Sequence, residues 1–209
     1  IEIKAEDGTL IPVSLMFREQ DRGKALPTQL YGYGSYGMVT PTRFSIFRAT
    51  LVDTGFLYAI AHVRGSGDLG QRWYREGKFV KKKNTFTDFR DVGRGLVAAK
   101  RSLKGEITIH GGSAGGLLVA ATLNLDPESF RGVIAEVPFV DVLSTMFNES
   151  LPLTPTEWDE WGDPRKHEFF KAIQAYSPYD RLEKGEFPYI LVNGGWNDPR
   201  VTYWEPTEW

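Results

Sequence analysis

Four short apolar runs, separated by segments with helical spacing, constrain the fold of this chain more than any other feature. Runs of this length that are apolar on both faces are typical of strands in a parallel sheet covered by helices. The four runs are residues 56–63, 106–110, 132–137 and 188–192.

The segments between these runs have the periodicity of helices. Thr85 to Asp88 resembles a capping box, and apolar residues at helical spacing follow it. Residues 117–124 and 167–176 predict two more helices, and the first 17 residues predict two strands around the Asp7-Gly8 turn. Strands that alternate with helices indicate an α/β fold with a mostly parallel sheet flanked by helices. Ligands of such sheets bind at the carboxyl ends of the strands.

Composition excludes several classes of protein. The 209 residues fit one domain, residues 1–209, and a net charge of −2 gives no basic field for nucleic acid. No apolar run approaches the roughly 20 residues of a membrane-spanning helix. Zero cysteines exclude thiol catalysis, and three scattered histidines do not favour a metal cluster. We therefore expect a cytoplasmic protein with no cofactor, no metal, and neither nucleic acid nor membrane as a partner.

Two glycine-rich loops match the G-x-G-x-x-G pattern of dinucleotide-binding turns, at Gly32 to Gly37 and at Gly65 to Gly70. That pattern requires the last glycine to open into a helix. Thr40-Pro41 soon after the first loop, and bulky aromatic and cationic residues after the second, do not favour such a start. Glycines for tight turns at strand ends are the preferred interpretation, and nucleotide binding is a distant alternative.

Residues 111–115 form a G-x-S-x-G motif between a predicted strand and a predicted helix. This is the context of a nucleophile elbow, in which Ser113 lies at the tip of a sharp strand-to-helix turn. Glycines two residues before and after the serine let strand and helix approach closely. The backbone N–H of Ala114 would then point at a developing oxyanion. The alternative is an ordinary glycine-rich turn that carries a serine by chance.

An elbow predicts its partners in the chain order Ser, Asp or Glu, then His. Asp198 follows the last predicted strand and can lie at the same edge as Ser113, although a turn-capping aspartate is an equal alternative. All three histidines, His62, His110 and His167, precede Asp198. We predict that the first two are packed or locally bonded strand-end residues and that the third is solvated, so the general base is missing from this chain.

Charge is unevenly distributed. Residues 136–163 contain seven carboxylates and no lysine or arginine. Within them, Glu157 and Asp159 flank Trp158, and carboxylates beside aromatic rings suit a guanidinium or ammonium group. A solvated acidic loop is the competing interpretation. The basic run at 81–83 is interpreted as a solvated face.

Several motifs, in order along nearly the whole chain, resemble the prolyl oligopeptidase family of serine peptidases. They are YGYGSYG (31–37), AHVRG (61–65), KNTFTDF (83–89) and GGSAGGLL (111–118). Further motifs resemble its oligopeptidase B (protease II) branch. They are VPFVDV (137–142), SLPLT (150–154), EWG (160–162) and YWEP (203–206).

The resemblance implies an α/β-hydrolase fold, truncated at the C-terminus, of an enzyme that cleaves short peptides after Arg or Lys. By position, Ser113 matches the nucleophile and Asp198 the triad acid. Tyr33 matches the tyrosine whose hydroxyl joins the Ala114 N–H in the oxyanion hole. The substrate-binding matches are Glu157 for the basic P1 side chain, Asp159 as a nearby second acid, and Arg200 as a contact of the bound peptide.

Three departures from the family pattern qualify these expectations. The family's β-propeller is absent, and its catalytic histidine lies beyond the last residue here, so we expect a fragment with little activity and a tendency to self-associate. Pro41 and Arg43 replace two aspartates that favour a basic P2 residue, and Arg43 would repel such a residue. Two other functions stay open: an esterase or aminopeptidase-type hydrolase, and a non-catalytic binding or assembly module.

Overall fold

The computed structural model describes residues 1–209 and contains one seven-stranded sheet. The strand order is β1-β2-β4-β3-β5-β6-β7. Strands β1 and β2 run antiparallel to their neighbours, and the other pairs are parallel. The strands are β1 (Glu2–Lys4), β2 (Leu10–Met16), β3 (Leu26–Tyr31), β4 (Leu57–Ala61), β5 (Ser102–Gly112), β6 (Gly132–Glu136) and β7 (Tyr189–Asn193).

Eight helices accompany the sheet. They are α1 (Ile46–Asp53), α2 (Gln71–Arg75), α3 (Lys83–Ala98), α4 (Ala114–Leu125), α5 (Val142–Phe147), α6 (Thr154–Trp161), α7 (His167–Gln174) and α8 (Trp204–Glu208). The predicted α/β class and the mostly parallel sheet are confirmed.

The sheet separates two apolar clusters, because alternate side chains of β4 point to opposite faces. Ala59 and Ala61 belong to the main core with α3 and α4, whereas Tyr58 and Ile60 pack with Val52 of α1. Helix α4 is buried along residues 114–123. Because α4 directly follows Ser113, the candidate nucleophile is anchored to the most buried helix of the molecule.

Strand β7 is an edge strand, because only β6 pairs with it, and it is not covered on both faces as the apolar run at 188–192 predicts. Its side chains are largely exposed, with Tyr189 at 72% and Leu191 at 62%. The segment that carries Asp198 therefore follows an open edge of the sheet.

Several helices differ from the sequence predictions. Helix α3 begins at Lys83, so Thr85 is not a cap, and its hydroxyl instead bonds the carbonyl of Gly77. A five-residue helix, α2, begins directly after Gly70, where none was expected. The short helices α1, α5, α6 and α8 were not predicted either. No helix combines the length and apolarity needed to cross a bilayer.

Candidate active site

The turn at Ser113 has the strained geometry of a nucleophile elbow. Ser113 has a φ of 56°, a left-handed conformation that costs a non-glycine residue roughly 1–3 kcal/mol. Its N–H donates to the Glu136 carbonyl at 2.8 Å, and its carbonyl accepts from Phe139. A Cβ on Gly111 would lie 2.1 Å from the Gly115 carbonyl oxygen, so this position requires glycine. Ala114 opens α4, where a backbone N–H lacks an intrahelical partner and remains available to an oxyanion.

The loop after β3 brings Tyr33 to this turn. A Cβ on Gly115 would lie 2.8 Å from the Gly32 carbonyl oxygen, so a glycine here lets the loop pack on the start of α4. Burial, with nearby phenolic and carboxylate groups, raises the pKa of Tyr33 to about 12, which keeps its hydroxyl protonated as a donor. The two glycine-rich loops also pack on each other, since a Cβ on Gly65 would meet the Gly34 carbonyl oxygen. Close backbone packing thus explains these glycines.

A cavity of about 360 Å³ lies between the elbow, the Tyr33 loop and helix α6. Ser113, Ala114 and Tyr33 line one side of it. Glu157 of α6 also lines the cavity, as does Arg200. The cavity therefore brings the candidate nucleophile, both candidate oxyanion donors and one carboxylate together.

Glu157 is held by two neutral donors. Its Oε2 accepts from the Tyr36 hydroxyl at 2.7 Å and from the Trp161 indole N–H at 2.8 Å. No protein group donates to Oε1, and no lysine or arginine of the chain pairs with this carboxylate. A carboxylate that is oriented but not neutralised can bind a cationic group that enters the cavity.

Asp159, the predicted second acid, does not line this cavity. It is exposed, because residues two apart on a helix point in different directions, whereas Glu157 and Trp161, four apart, share a face. The buried carboxylate beside Glu157 is instead Glu160, which is 3% exposed and accepts from the Tyr36 N–H at 2.9 Å. Glu160 was missed because its type alone predicts a solvated side chain.

Asp198 lies in the loop after β7 and is half-buried. Its Oδ1 accepts from the N–H groups of Arg200 and Val201, at 2.8 and 3.1 Å, which is the turn-capping pattern. No protein group donates to Oδ2. The local turn therefore orients the carboxylate while leaving one oxygen for another donor. Pro199 to Thr202, directly after it, line the cavity.

None of the three histidines lines the cavity. His62 Nε2 lies 2.8 Å from the Ser14 hydroxyl, and its Nδ1 lies 2.9 Å from Asp68. His110 contacts Gln29 and Glu136 through its two ring nitrogens. His167 is exposed at the start of α7. Local bonding of the first two and solvation of the third agree with the sequence interpretation.

Glu205 was not predicted as a site residue and appeared only within a motif. It is 1% exposed, and its Oε2 accepts from the N–H groups of Val140 and Asp141. Its Oε1 accepts from Thr145, a residue that lines the cavity. Burial raises the pKa of Glu205 to about 7. This carboxylate joins the segment after Asp198 to the helix α5 that forms one cavity wall.

No group of three or more His, Cys, Asp or Glu side chains is arranged to hold a metal ion. Pro41 and Arg43, the two departures at the expected P2 positions, are exposed and outside the cavity lining.

Comparisons with known proteins identify the family of this chain. The model of the prolyl oligopeptidase family matches residues 42–209. The chain belongs to the prolyl oligopeptidase family. "Protease 2" of Moraxella lacunata is 44% identical over 204 residues, and "Dipeptidyl aminopeptidase BI" of Pseudoxanthomonas mexicana is 45% identical over 208. These matches cover 97% and 98% of this chain and 29% of each relative.

Solved structures of prolyl oligopeptidase family members match as closely. Oligopeptidase B from Leishmania major has a TM-score of 0.97 and 44% identity, covering 100% of this chain and 29% of that one. Oligopeptidase B from Trypanosoma brucei, solved with covalently bound antipain, gives the same score and identity, covering 100% and 30%. The chain thus has the α/β-hydrolase fold of this serine peptidase family, and it spans less than a third of its relatives' length.

Proposed function

We propose that this chain carries the nucleophile, the oxyanion hole, the triad acid and the P1 pocket of an oligopeptidase B-like serine peptidase. The substrates would be short peptides that are cleaved after Arg or Lys. The observation that supports this is a single cavity that contains both Ser113 and an unneutralised carboxylate, Glu157.

The chemistry follows from the positions of these groups. The Ser113 hydroxyl would attack the scissile carbonyl carbon and transfer its proton to a histidine oriented by Asp198. The N–H of Ala114 and the hydroxyl of Tyr33 would stabilise the oxyanion. Glu157 would bind the P1 guanidinium or ammonium group, with Arg200 as a further contact of the peptide. Asp159, which is exposed, is not needed for this arrangement.

The 209-residue chain itself should turn over peptides very slowly, because no histidine lies in the cavity. Loss of one triad member typically lowers kcat by several orders of magnitude. We expect hydrolysis of a blocked arginine amide to be close to the background rate and unchanged by Ser113→Ala. Rapid hydrolysis that Ser113→Ala abolishes would support Ser113 as the nucleophile, but it would contradict the prediction that this chain lacks the general base.

Binding of a small cation tests the P1 pocket without catalysis. We expect benzamidine to bind the chain, and Glu157→Gln to weaken that binding by about tenfold or more, because a hydrogen bond to a charged group contributes roughly 1.5–3 kcal/mol. Titration calorimetry, with benzyl alcohol as the neutral ligand of similar shape, measures the effect.

Asp159→Asn is the matched control, because it removes a carboxylate two residues away that lies outside the cavity. It should leave the benzamidine affinity within about twofold. Equal weakening by both substitutions would indicate a general effect of negative charge rather than a pocket at Glu157. No weakening by Glu157→Gln would favour an esterase-type hydrolase or a non-catalytic module.

Two further predictions concern partners and location. Self-association is supported by the exposed apolar side chains of β7, and light scattering over a concentration series tests it. A cytoplasmic location stays a prediction.

A further inference from the structure

Lys82 is fully buried, although it lies in a run of three lysines that was interpreted as a solvated face. Its side chain is 1% exposed, whereas both neighbours, Lys81 and Lys83, are exposed. Burial lowers the pKa of Lys82 to about 8. An ammonium group in this position is costly unless its donors are satisfied, so its contacts indicate what it does.

The contacts of Lys82 are all on or beside the loop that follows β3. Its Nζ donates to the carbonyl of Gly34 and to the hydroxyl of Ser35, both at 2.7 Å. It also lies 4.9 Å from the centre of the Trp161 ring, a cation–π distance. No carboxylate forms a direct ion pair with it. The cation therefore binds the backbone and a neutral side chain of this loop.

Glu160 binds the next residue of the same loop. Its Oε1 accepts from the Tyr36 N–H at 2.9 Å, and its Oε2 accepts from the Tyr74 hydroxyl. Tyr36 has a φ of 58°, which only surrounding contacts can maintain in a tyrosine. Lys82 and Glu160 thus hold consecutive residues of the loop, and their opposite charges attract each other.

Both donors to Glu157 depend on these contacts. Tyr36 donates its hydroxyl to Glu157, and its ring packs edge-on against Trp161 with centroids 5.6 Å apart. Trp161 donates its indole N–H to the same carboxylate oxygen while its face covers Lys82. Lys82 is therefore linked to the orientation of Glu157 in two ways, through the loop that carries Tyr36 and through the ring of Trp161.

We propose that Lys82 is a positioning residue for Glu157, and that it thereby sets the affinity of the cavity for a basic side chain. Lys82 does not line the cavity, so it would act only through Tyr36 and Trp161. The inference rests on the proposed P1 pocket, since it concerns how that pocket is held.

Whether replacement of Lys82 weakens or tightens benzamidine binding distinguishes a positioning role from simple charge repulsion. As a nearby positive charge, Lys82 repels a bound cation, so removing that charge alone should tighten benzamidine binding. As a positioning residue, Lys82 orients the carboxylate, so its removal should weaken benzamidine binding. A neutral ligand of the same shape should respond to neither effect.

The experiment compares Lys82→Met with Lys83→Met, its exposed neighbour, in the 209-residue chain. We expect Lys82→Met to weaken benzamidine binding about tenfold and to change benzyl alcohol binding by less than about twofold. Lys83→Met should change neither. Tighter or unchanged benzamidine binding in Lys82→Met, or equal weakening of both ligands, would overturn the proposal.

If Lys82→Met does not fold, a second variant tests the positioning role of Lys82. Ser35→Ala removes one acceptor of Lys82 without a change in charge, and we expect it to weaken benzamidine about threefold while benzyl alcohol binding is retained. Unchanged benzamidine binding in Ser35→Ala would then reject the positioning role. Glu157→Gln, measured alongside, separates the two proposals. If it has no effect, the P1 pocket itself is wrong; if it alone weakens benzamidine, only the role of Lys82 is wrong.

Discussion

The two candidate catalytic segments of this chain, the turn at Ser113 and the loop at Asp198, are held in very different ways. Ser113 follows β5, which pairs on both sides, with β3 and with β6, and it precedes the buried helix α4. Asp198 follows β7, which pairs only with β6 and exposes most of its side chains. The proposed nucleophile follows an interior strand of the sheet, and the proposed triad acid follows an edge strand.

This difference shows which interactions fix each group. At the centre, backbone atoms approach so closely that Gly111 has no space for a Cβ. At the edge, a few side-chain bonds, chiefly those of Glu205, join the segment after Asp198 to α5. Substitutions at the centre should therefore affect stability at every pH, whereas substitution of Glu205 at the edge should change how stability depends on pH.

Among the substitutions considered, Gly111→Ala should lower the free energy of unfolding most. The new Cβ would lie 2.1 Å from a backbone carbonyl oxygen, and no flexible side chain can move to relieve the clash. We expect a loss of about 4 kcal/mol or more in the free energy of unfolding, or no folded protein, because clashes with backbone belong to the most destabilising class. Urea unfolding, monitored by circular dichroism, measures this loss.

Gly112→Ala is the matched control in the same motif. Its Cβ would meet the Glu136 carbonyl oxygen at 3.5 Å, an ordinary contact. A loss within about 1 kcal/mol is expected. If the two variants were equally stable, close backbone packing at Gly111 would not be what fixes the turn at Ser113.

The ionisation of Glu205 should change the free energy of unfolding by an intermediate amount. The pKa of this carboxyl is about 7 in the folded chain and 4.5 ordinarily, so folding favours its protonated form. The stability that this group contributes is fully present below pH 4.5 and is lost as the pH rises through 7. Between pH 5 and 8 the free energy of unfolding should fall, by at most about 3 kcal/mol.

Glu205→Gln should remove this part of the pH dependence, because the amide keeps an acceptor for the two N–H groups and does not ionise. The difference between the wild-type and Glu205→Gln stability curves isolates the contribution of Glu205 from other titrating groups. Glu208→Gln, in the same helix but exposed, should leave the wild-type curve unchanged. A constant difference between pH 5 and 8 would show that Glu205 does not titrate there.

The same contrast explains what could be predicted from the sequence. The central strands, helix α4 and the elbow at Ser113 follow from apolar runs and one motif, because burial on both faces leaves a clear pattern. Helices α5 and α6 were not predicted. The contacts of Glu160, Lys82 and Glu205 were missed because each charge is buried by residues distant in sequence. Local patterns do not report such long-range contacts.

The smallest effect is expected in the exposed segment before β7. Gly185 and Gly70 both have open space where a Cβ would lie, but only Gly70 has a positive φ, of 83°. Gly185→Ala should therefore stabilise the chain by up to about 1 kcal/mol through lower entropy of the unfolded state. Gly70→Ala should destabilise it by roughly 1–2 kcal/mol, because L residues are strained there. Thermal unfolding resolves both, since about 1 kcal/mol shifts Tm by roughly 2–4 °C in a chain of this size. A marked loss of stability in Gly185→Ala would mean that the segment before β7 is packed as tightly as the centre of the sheet.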